Sequence, residues 1–345
     1  MTRQSAIGCV LLLSVGTLVS SGEMTVAARS AAVAPAPVPA LSYRLQEVAG
    51  GVFCAVASGV PYYVANSVVV VGPDGVLVVD SGAGPNEARV LLASIRTIAD
   101  QPVRWVVDTH FHFDHVFGNE AFPDASIIGH EATRELLRRG GGALAGYVAG
   151  LPAQIERARR DSAPSAAALE AYQKELATLV PTGLDLTFSE RLTLRPGGRE
   201  VWLLHLGRGH TAGDVIVYLP QERVVCTGDL FNGYIGYMGD AYVDEWADTL
   251  ERLAALDFET VVPGHGTPFK GKDAIAPVQA CLRDLWRQAA SFKREGVSAD
   301  EAASRVDLRA HGGRFPRLAQ VGFEPVAVRR IYEVIDERAA ATTTH

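Results

Sequence analysis

The chain has 345 residues, 48% of them hydrophobic and 21% charged, and a formal net charge of −7. Those proportions are ordinary for a globular core, with room for one large domain or two small ones. The acidic balance implies no broad basic surface and argues against a nucleic-acid partner. A local cluster, Arg157-Ala158-Arg159-Arg160, lies in helical sequence and reads as a solvated face.

The N-terminus reads as a signal peptide over residues 1–28. Arg3 supplies the positive charge, and Ala6 to Val19 is apolar but short for a membrane span. Cleavage after Val26-Ala27-Ala28 or near Ser20 to Gly22 both fit. Residues 29–44 read as a linker, because Ala31 to Ala40 is rich in Ala and Pro. Residues 45–345 read as one folded domain with a C-terminal helical extension. A periplasmic or secreted location is expected, with no stable membrane span. Beyond the leader stand Cys54, Cys226 and Cys281. They allow at most one internal disulfide, and their spacing suggests no disulfide framework.

In chain order, Val52–Ala57, Asn66–Val71 and Val76–Val79 predict strands, the last two joined at Pro73-Asp74-Gly75. Asn86 to Ala99 predicts a helix with an apolar stripe of Ala88, Val90, Leu91, Leu92 and Ile95. Val103–Val107 is the next strand, Ala125–Gly129 another, and Glu131 to Arg139 a helix ended by Gly140-Gly141-Gly142. Leu151 to Leu179 is mostly helical, interrupted near Ser162-Ala163-Pro164-Ser165. Strands resume at Leu192–Leu194, Val201–Leu206, Val215–Leu219 and Val224–Thr227. Trp246 to Leu256 is helical, Thr260–Val262 a strand, Ala274 to Gly296 a helix, and Leu308 to Arg338 helix and loop.

Between the strand Val103–Val107 and the next comes His110-Phe111-His112-Phe113-Asp114-His115. In extended backbone His110, His112 and Asp114 point to one side, and His115 breaks the alternation. One short segment can thereby serve two neighbouring metal ions. Imidazole and carboxylate donors suit zinc, and also iron or manganese. Three later pieces follow apolar runs: Gly209-His210-Thr211-Ala212-Gly213-Asp214, Cys226-Thr227-Gly228-Asp229-Leu230 and Val262-Pro263-Gly264-His265-Gly266. Each looks like a strand delivering one ligand from its end. Cys226 lies within its apolar run and reads as core.

With these pieces in this order, the chain resembles the metallo-β-lactamase fold superfamily over residues 45 to 270. The segment Val78-Val79-Asp80-Ser81-Gly82 matches the strand-to-loop Asp-x-Gly that the family places beneath its metals. The resemblance implies an α/β fold, a four-layer αββα sandwich with metals at one edge. It assigns His110, His112 and His210 to one metal, Asp114, His115 and His265 to a second, and Asp229 as the bridge. Several β-lactamases of the fold carry cysteine or serine at the position of Asp229, so the aspartate is more like glyoxalase II, lactonases and phosphodiesterases. Asp80 is a candidate to support a ligand histidine through its other ring nitrogen.

The resemblance implies two Zn2+ ions sharing a hydroxide that attacks a small carbonyl substrate: a thioester, a lactone or a β-lactam. Asp114 is then a ligand, and a catalytic candidate that orients the water or relays its proton. Glyoxalase II itself is disfavoured, since the C-terminal segment lacks a basic glutathione-binding pattern and the chain looks exported. The alternatives are a phosphodiesterase, a persulfide dioxygenase with one Fe2+ held by His110, His210 and Asp229, and a metal-binding protein without catalysis. The substrate is a small molecule; nothing points to a protein partner. Tyr234 and Tyr237, in the aromatic and glycine-rich stretch Phe231 to Trp246, are pocket candidates, as are Tyr62 and Tyr63. Phe111 and Phe113 are expected to pack beneath the site, and His130 and His205 to be structural. Lys270 and Lys272 read as solvated loop lysines, with contact to an anionic substrate as the alternative.

Overall fold

The computed structural model describes residues 41–139, 142–180 and 182–343. The expected signal peptide, most of the linker and Gly140-Gly141 lie outside those residues.

The first sheet has seven strands in sequential order: β1 (Ser42–Ala49), β2 (Val52–Ser58), β3 (Ser67–Gly72), β4 (Gly75–Val79), β5 (Val103–Val107), β6 (Ser126–His130) and β7 (Leu186–Phe188). The second has six: β8 (Arg191–Leu194), β9 (Val201–Leu204), β10 (Ile216–Leu219), β11 (Val224–Gly228), β12 (Thr260–Pro263) and β13 (Phe269–Lys270), again in sequential order across the sheet. Both are mixed. β4, β5, β6 and β7 run parallel, as do β11 and β12, while the remaining pairs are antiparallel.

The sheets are buried on both faces, which is why β3 and β4 read as unbroken apolar runs rather than alternating ones. Val68, Val70, Leu77, Val79 and Val107 meet Leu203, Val217, Leu219 and Cys226 between the sheets. On the outer face of the first sheet, Val69, Val76, Val78 and Val106 pack against Ala88, Leu91 and Ile95 of α1 (Pro85–Ile95). On the outer face of the second, Ile216, Tyr218, Val225 and Val261 meet the helix Val243–Ala254 and the C-terminal helices. This is the expected αββα sandwich. The other helices are α2 (Phe113–Val116), α3 (Glu131–Arg138), α4 (Gly142–Asp161), α5 (Ala163–Leu176), α6 (Val243–Ala254), α7 (Ile275–Arg294), α8 (Ala299–Arg305) and α9 (Pro325–Thr343).

Three boundaries differ from expectation. β1 begins at Ser42, inside the segment read as linker, and Tyr43 donates to Glu87 from it at 2.7 Å. Its residues are half-exposed, so the apolar alternation is weak. Helix α4 starts at Gly142, well before Leu151. Helix α1 stops at Ile95, where Arg96 to Ile98 close in tighter turns. No helix among the described residues is long and apolar enough to cross a membrane.

Candidate metal centre

The functional side chains leave the C-terminal ends of strands. β4 leads to Asp80, β5 to His110, β11 to Asp229 and β12 to His265, while the turn between β9 and β10 carries His210. Backbone bonds tie these ends together: Val215 N–H donates to Thr109 O at 2.7 Å, Asn66 N–H to Gly264 O at 2.7 Å and Gly264 N–H to Gly228 O at 2.9 Å. The Asn66 amide also spans the two sheets, donating to Pro263 O at 3.0 Å and Gly266 O at 2.8 Å. Gly264 is required by this closeness. A Cβ there would lie 2.2 Å from Asp229 Oδ1 and 3.1 Å from His115 Cε1.

The extended run expected through Asp114 ends earlier. His112 has β backbone and precedes the single turn α2, which carries Asp114 and His115. The turn lets adjacent residues reach one cluster, which alternation along a strand would not allow. His110 Nε2 and His210 Nε2 each lie 2.9 Å from His112 Nδ1. A second group combines Asp114, His115 and His265, with His265 Nε2 3.2 Å from Asp114 Oδ2. Asp229 stands between the groups. Its Oδ2 is 3.6 Å from His210 Nε2 and 3.3 Å from His265 Nε2, and its Oδ1 is 3.7 Å from His115 Nε2. All seven residues predicted from sequence are thereby brought together.

The outer faces of the rings fix which nitrogen points inward. His115 Nδ1 donates to Asp80 Oδ2 at 2.7 Å, His265 Nδ1 to Val64 O at 3.1 Å and His112 Nε2 to Asp240 Oδ2 at 3.0 Å. His110 Nδ1 meets Thr109 Oγ1 at 3.0 Å, and that hydroxyl donates to Asp80 Oδ2 at 2.9 Å. Asp80 therefore supports one histidine of each group, directly and through Thr109. It does so from a left-handed backbone, φ 61°, which Asp tolerates better than most residues. Inside the site, Asp114 Oδ2, His115 Nε2 and His265 Nε2 are buried without a hydrogen-bond partner. Buried polar atoms left unpaired are costly. The unpaired atoms of this group, together with the converging ring nitrogens of His110, His112 and His210, are all nitrogen or carboxylate oxygen and fit metal cations.

The electrostatics agree. Burial, with the neighbouring imidazoles, pushes His110 well below its usual range and His210 down to about 3, so both are neutral lone-pair donors. At His115 and His265 burial acts downward but is outweighed by carboxylates: Asp80 and Asp114 raise His115 to about 9, and Asp229 and Asp114 raise His265 to about 10. Burial likewise opposes ionisation of Asp114 and Asp229, and the facing histidines nevertheless hold both below the usual carboxylate range. Without a cation, protons on His115 and His265 balance the two carboxylates.

A cavity of about 570 Å³ opens on the clusters, lined by His112, Asp114, His210 and Asp229, by Tyr63, Tyr234 and Tyr237, and by Phe113, Tyr147 and Gln154. Tyr62 is not on its wall. Its ring stacks on Tyr172 of α5, centroids 3.9 Å apart. Phe111 is buried, and Phe113 stacks on Tyr147 of α4 at 3.8 Å. His130 and His205 stack on each other at 3.9 Å and bond backbone carbonyls. Lys272 Nζ donates to Ala254 O and Leu256 O beyond the end of α6, so it faces the fold rather than a substrate. Cys226 is buried core, and all three described cysteines are free thiols. Three contributors were missed from sequence. Asn232 donates to Asp229 Oδ1 at 3.2 Å and accepts from His265 N–H at 3.1 Å. Asp240 holds His112. Tyr147 comes from a distant helix. The first two sit in the loop singled out for its aromatics, where no periodicity marks them.

Comparison with known proteins decides the family. The sequence profile described as Metallo-beta-lactamase superfamily matches residues 61–265. The chain belongs to this superfamily. Among relatives of the superfamily, it is 27% identical over 289 residues to the linear primary-alkylsulfatase of Pseudomonas sp. (strain ATCC 19151), covering 76% of this chain and 54% of that protein. It is 28% identical over 241 residues to the 2,4-dinitroanisole O-demethylase subunit alpha of Nocardioides sp. (strain JS1661), covering 67% of this chain and 61% of that one. The chain therefore spans little more than half of these relatives' length. A metallo-beta-lactamase structure from Pontibacter korlensis superposes with a TM-score of 0.54 at 22% identity, covering 70% of this chain and 99% of that one. At that identity the likeness concerns the superfamily's fold alone.

Proposed function

We propose that the protein is an exported, dinuclear zinc-dependent hydrolase acting on a small carbonyl substrate such as a thioester, a lactone or a β-lactam. One observation carries the reading: two groups of inward-facing, buried nitrogen and oxygen atoms flank the single carboxylate of Asp229. His110, His112 and His210 would hold one ion, Asp114, His115 and His265 the other, and Asp229 both. Zinc held there would acidify a water and polarise the substrate carbonyl. The remaining work belongs to the chain. Asp114, ionised and buried with an unpartnered oxygen, orients the attacking water and accepts its proton. Tyr63, Tyr234 and Tyr237 wall the carbonyl off from bulk solvent. For a thioester, the water oxygen bonds to the carbonyl carbon, the C–S bond breaks and the proton goes to the leaving thiolate.

A mononuclear iron centre on His110, His210 and Asp229 is less consistent with the geometry. It would leave Asp114, His115 and His265 converging on nothing in a buried position. A second hydrolytic reading, cleavage of a sulfate ester, is favoured by the likeness to the alkylsulfatase. The test is elemental analysis of protein purified from the exported fraction, with nitrocefin, a thiolactone, an acyl thioester and an alkyl sulfate assayed on that sample. Two zinc ions per chain with turnover of a carbonyl substrate, lost in a His112→Ala variant that still folds, supports the proposal. One iron per chain without hydrolysis, or turnover of the sulfate alone, overturns it.

A further inference from the structure

A second and larger cavity, about 1010 Å³, adjoins the metal-centre cavity. The two share Tyr63, Tyr234, Gly236 and Tyr237 as common wall. The far wall belongs to the C-terminal extension: Ala303 of α8, Phe315 and Leu318 of the following turn, and Phe323 before α9. The shared tyrosines are the unusual part. They are 58%, 37% and 49% exposed at Tyr63, Tyr234 and Tyr237, yet they stand directly on the metal ligands. The Tyr63 ring is 4.5 Å from that of His265, and the Tyr237 ring 5.7 Å from that of His112. Clustered exposed aromatics beside a catalytic cavity mark a surface that something covers.

The charges say which kind of group reaches the far end. Most arginines of the extension are paired: Arg305 with Glu301, Arg309 with Asp307, Arg329 with Asp300, Arg330 with Glu333 and Glu337, and Arg338 with Asp244 and Glu245. Arg314 and Arg317 both line the groove, and neither forms an ion pair among the described residues. Asp300, the acid beside them on the wall, is already engaged by Arg329. The other acid on the wall, Glu324, forms no ion pair either, so two unpaired guanidinium groups face one unpaired carboxylate there. The groove therefore keeps a cationic excess on the wall of the C-terminal extension, beside the apolar lining of Phe315, Leu318 and Phe323. The guanidinium fork matches the paired oxygens of a carboxylate in a bidentate geometry.

We propose that the substrate is elongated: its reacting group sits at the metal ligands, an apolar chain crosses the Tyr234–Tyr237 loop, and a remote carboxylate docks on Arg314 and Arg317. The assignment rests on the hydrolase reading and names the substrate class for that site. It gives the C-terminal extension a role in selection, in addition to its packing on the second sheet.

The test uses zinc-loaded full-length protein and S-acyl thioesters in three series of matched length, ending in methyl, carboxylate or ammonium. In the wild type, kcat/KM rises about threefold to fourfold per methylene while the chain fills the groove. It then favours the carboxylate end over the ammonium end by about tenfold. Arg314→Gln/Arg317→Gln lowers kcat/KM for the carboxylate series about threefold to tenfold, the scale of exposed charge pairs. It leaves an acetyl thioester unchanged. A flat length profile, or a carboxylate preference that survives the double variant, overturns the groove assignment while leaving hydrolysis intact. If no thioester is turned over, 11-(dansylamino)undecanoate and its methyl ester decide the groove by fluorescence. Binding of the acid that weakens in the double variant, with the ester indifferent to it, keeps the groove and dismisses thioester chemistry. Equal binding to both proteins overturns the groove.

Discussion

Asp80→Asn isolates the support beneath both metal groups. The aspartate accepts from His115 Nδ1 and Thr109 Oγ1 through one oxygen and from Thr109 N–H at 2.8 Å through the other. Asn tolerates the left-handed backbone at φ 61° as well as Asp does, so the substitution adds no strain. Its carbonyl can still accept from Thr109 N–H. Its amide then faces His115 Nδ1 and the Thr109 hydroxyl with donors. His115 must turn its proton to Nε2, the atom aimed into the site, and His110 loses its relay through Thr109. Loss of such a supporting partner typically lowers metal affinity 10- to 100-fold. That corresponds to about 1.4–2.7 kcal/mol, and it applies here to both ions, because each group contains one of the two histidines. Zinc titration against a chelator of known affinity measures it, with denaturant unfolding of the metal-free protein as the control for folding. Wild-type affinity at both sites in a folded Asp80→Asn variant would refute the support argument.

Four further outcomes follow from the structure. Gly264→Ala places a methyl 2.2 Å from Asp229 Oδ1; overpacking of about 1–3 kcal/mol is relieved by moving the bridging carboxylate. Both bound zinc and kcat fall together, read by metal analysis and rate. In the metal-free protein, His115 and His265 have folded pKa values raised to about 9 and about 10. Their stabilisation is complete below the unfolded histidine value and is lost as pH rises through those values. Glu87 and Asp214, pushed up to about 7 by burial, lose their share at lower pH, and the buried thiols of Cys54 and Cys281, pushed up to about 12, begin to lose theirs only above the unfolded thiol value of about 8.5, so the two histidines lead the decline just above pH 7. Unfolding midpoints of the metal-free protein should fall between pH 7 and about 8.5, below the unfolded thiol range, and those of the zinc-loaded protein should not. Calorimetry in buffers of different ionisation enthalpy should find about two protons released on zinc binding at pH 7. Lys272→Met removes a donor to Ala254 O and Leu256 O, costing about 1–2 kcal/mol of stability without changing kcat/KM; altered kinetics would return Lys272 to the substrate.

The metal centre was legible in the sequence because its ligands are chemically rare and sit at strand ends, where apolar runs stop abruptly. The two-sheet core was legible for the same reason, since buried strands announce themselves as runs such as Ser67–Gly72 and Gly75–Val79. β1 escaped because an edge strand with half-exposed faces shows little pattern. The Asp114 side chain lies beside His115 and His265, as the resemblance implies, but by a local geometry other than the expected alternation. A single helical turn after His112, invisible to a two-residue alternation, delivers Asp114 and His115 to the same group.

What the sequence could not give is whatever depends on long-range meeting of unremarkable residues. Asp240 lies 128 positions from His112 and nothing in its neighbourhood singles it out. Tyr147 reaches the cavity from a helix inserted between sheet strands. Arg314 and Arg317 look like any solvated arginines until the fold sets them on the wall of the same groove as Tyr234 while their neighbours pair off. The division has a physical basis. Reactive chemistry requires particular residue types at close range, so it concentrates in short motifs. Selectivity requires only shape and charge at a distance from the reacting atoms, so many sequences can supply it and none advertises it. Under the proposed hydrolase reading, what sets the substrate is for that reason to be sought in the groove between the tyrosine loop and the C-terminal extension, beyond the candidate metal ligands themselves.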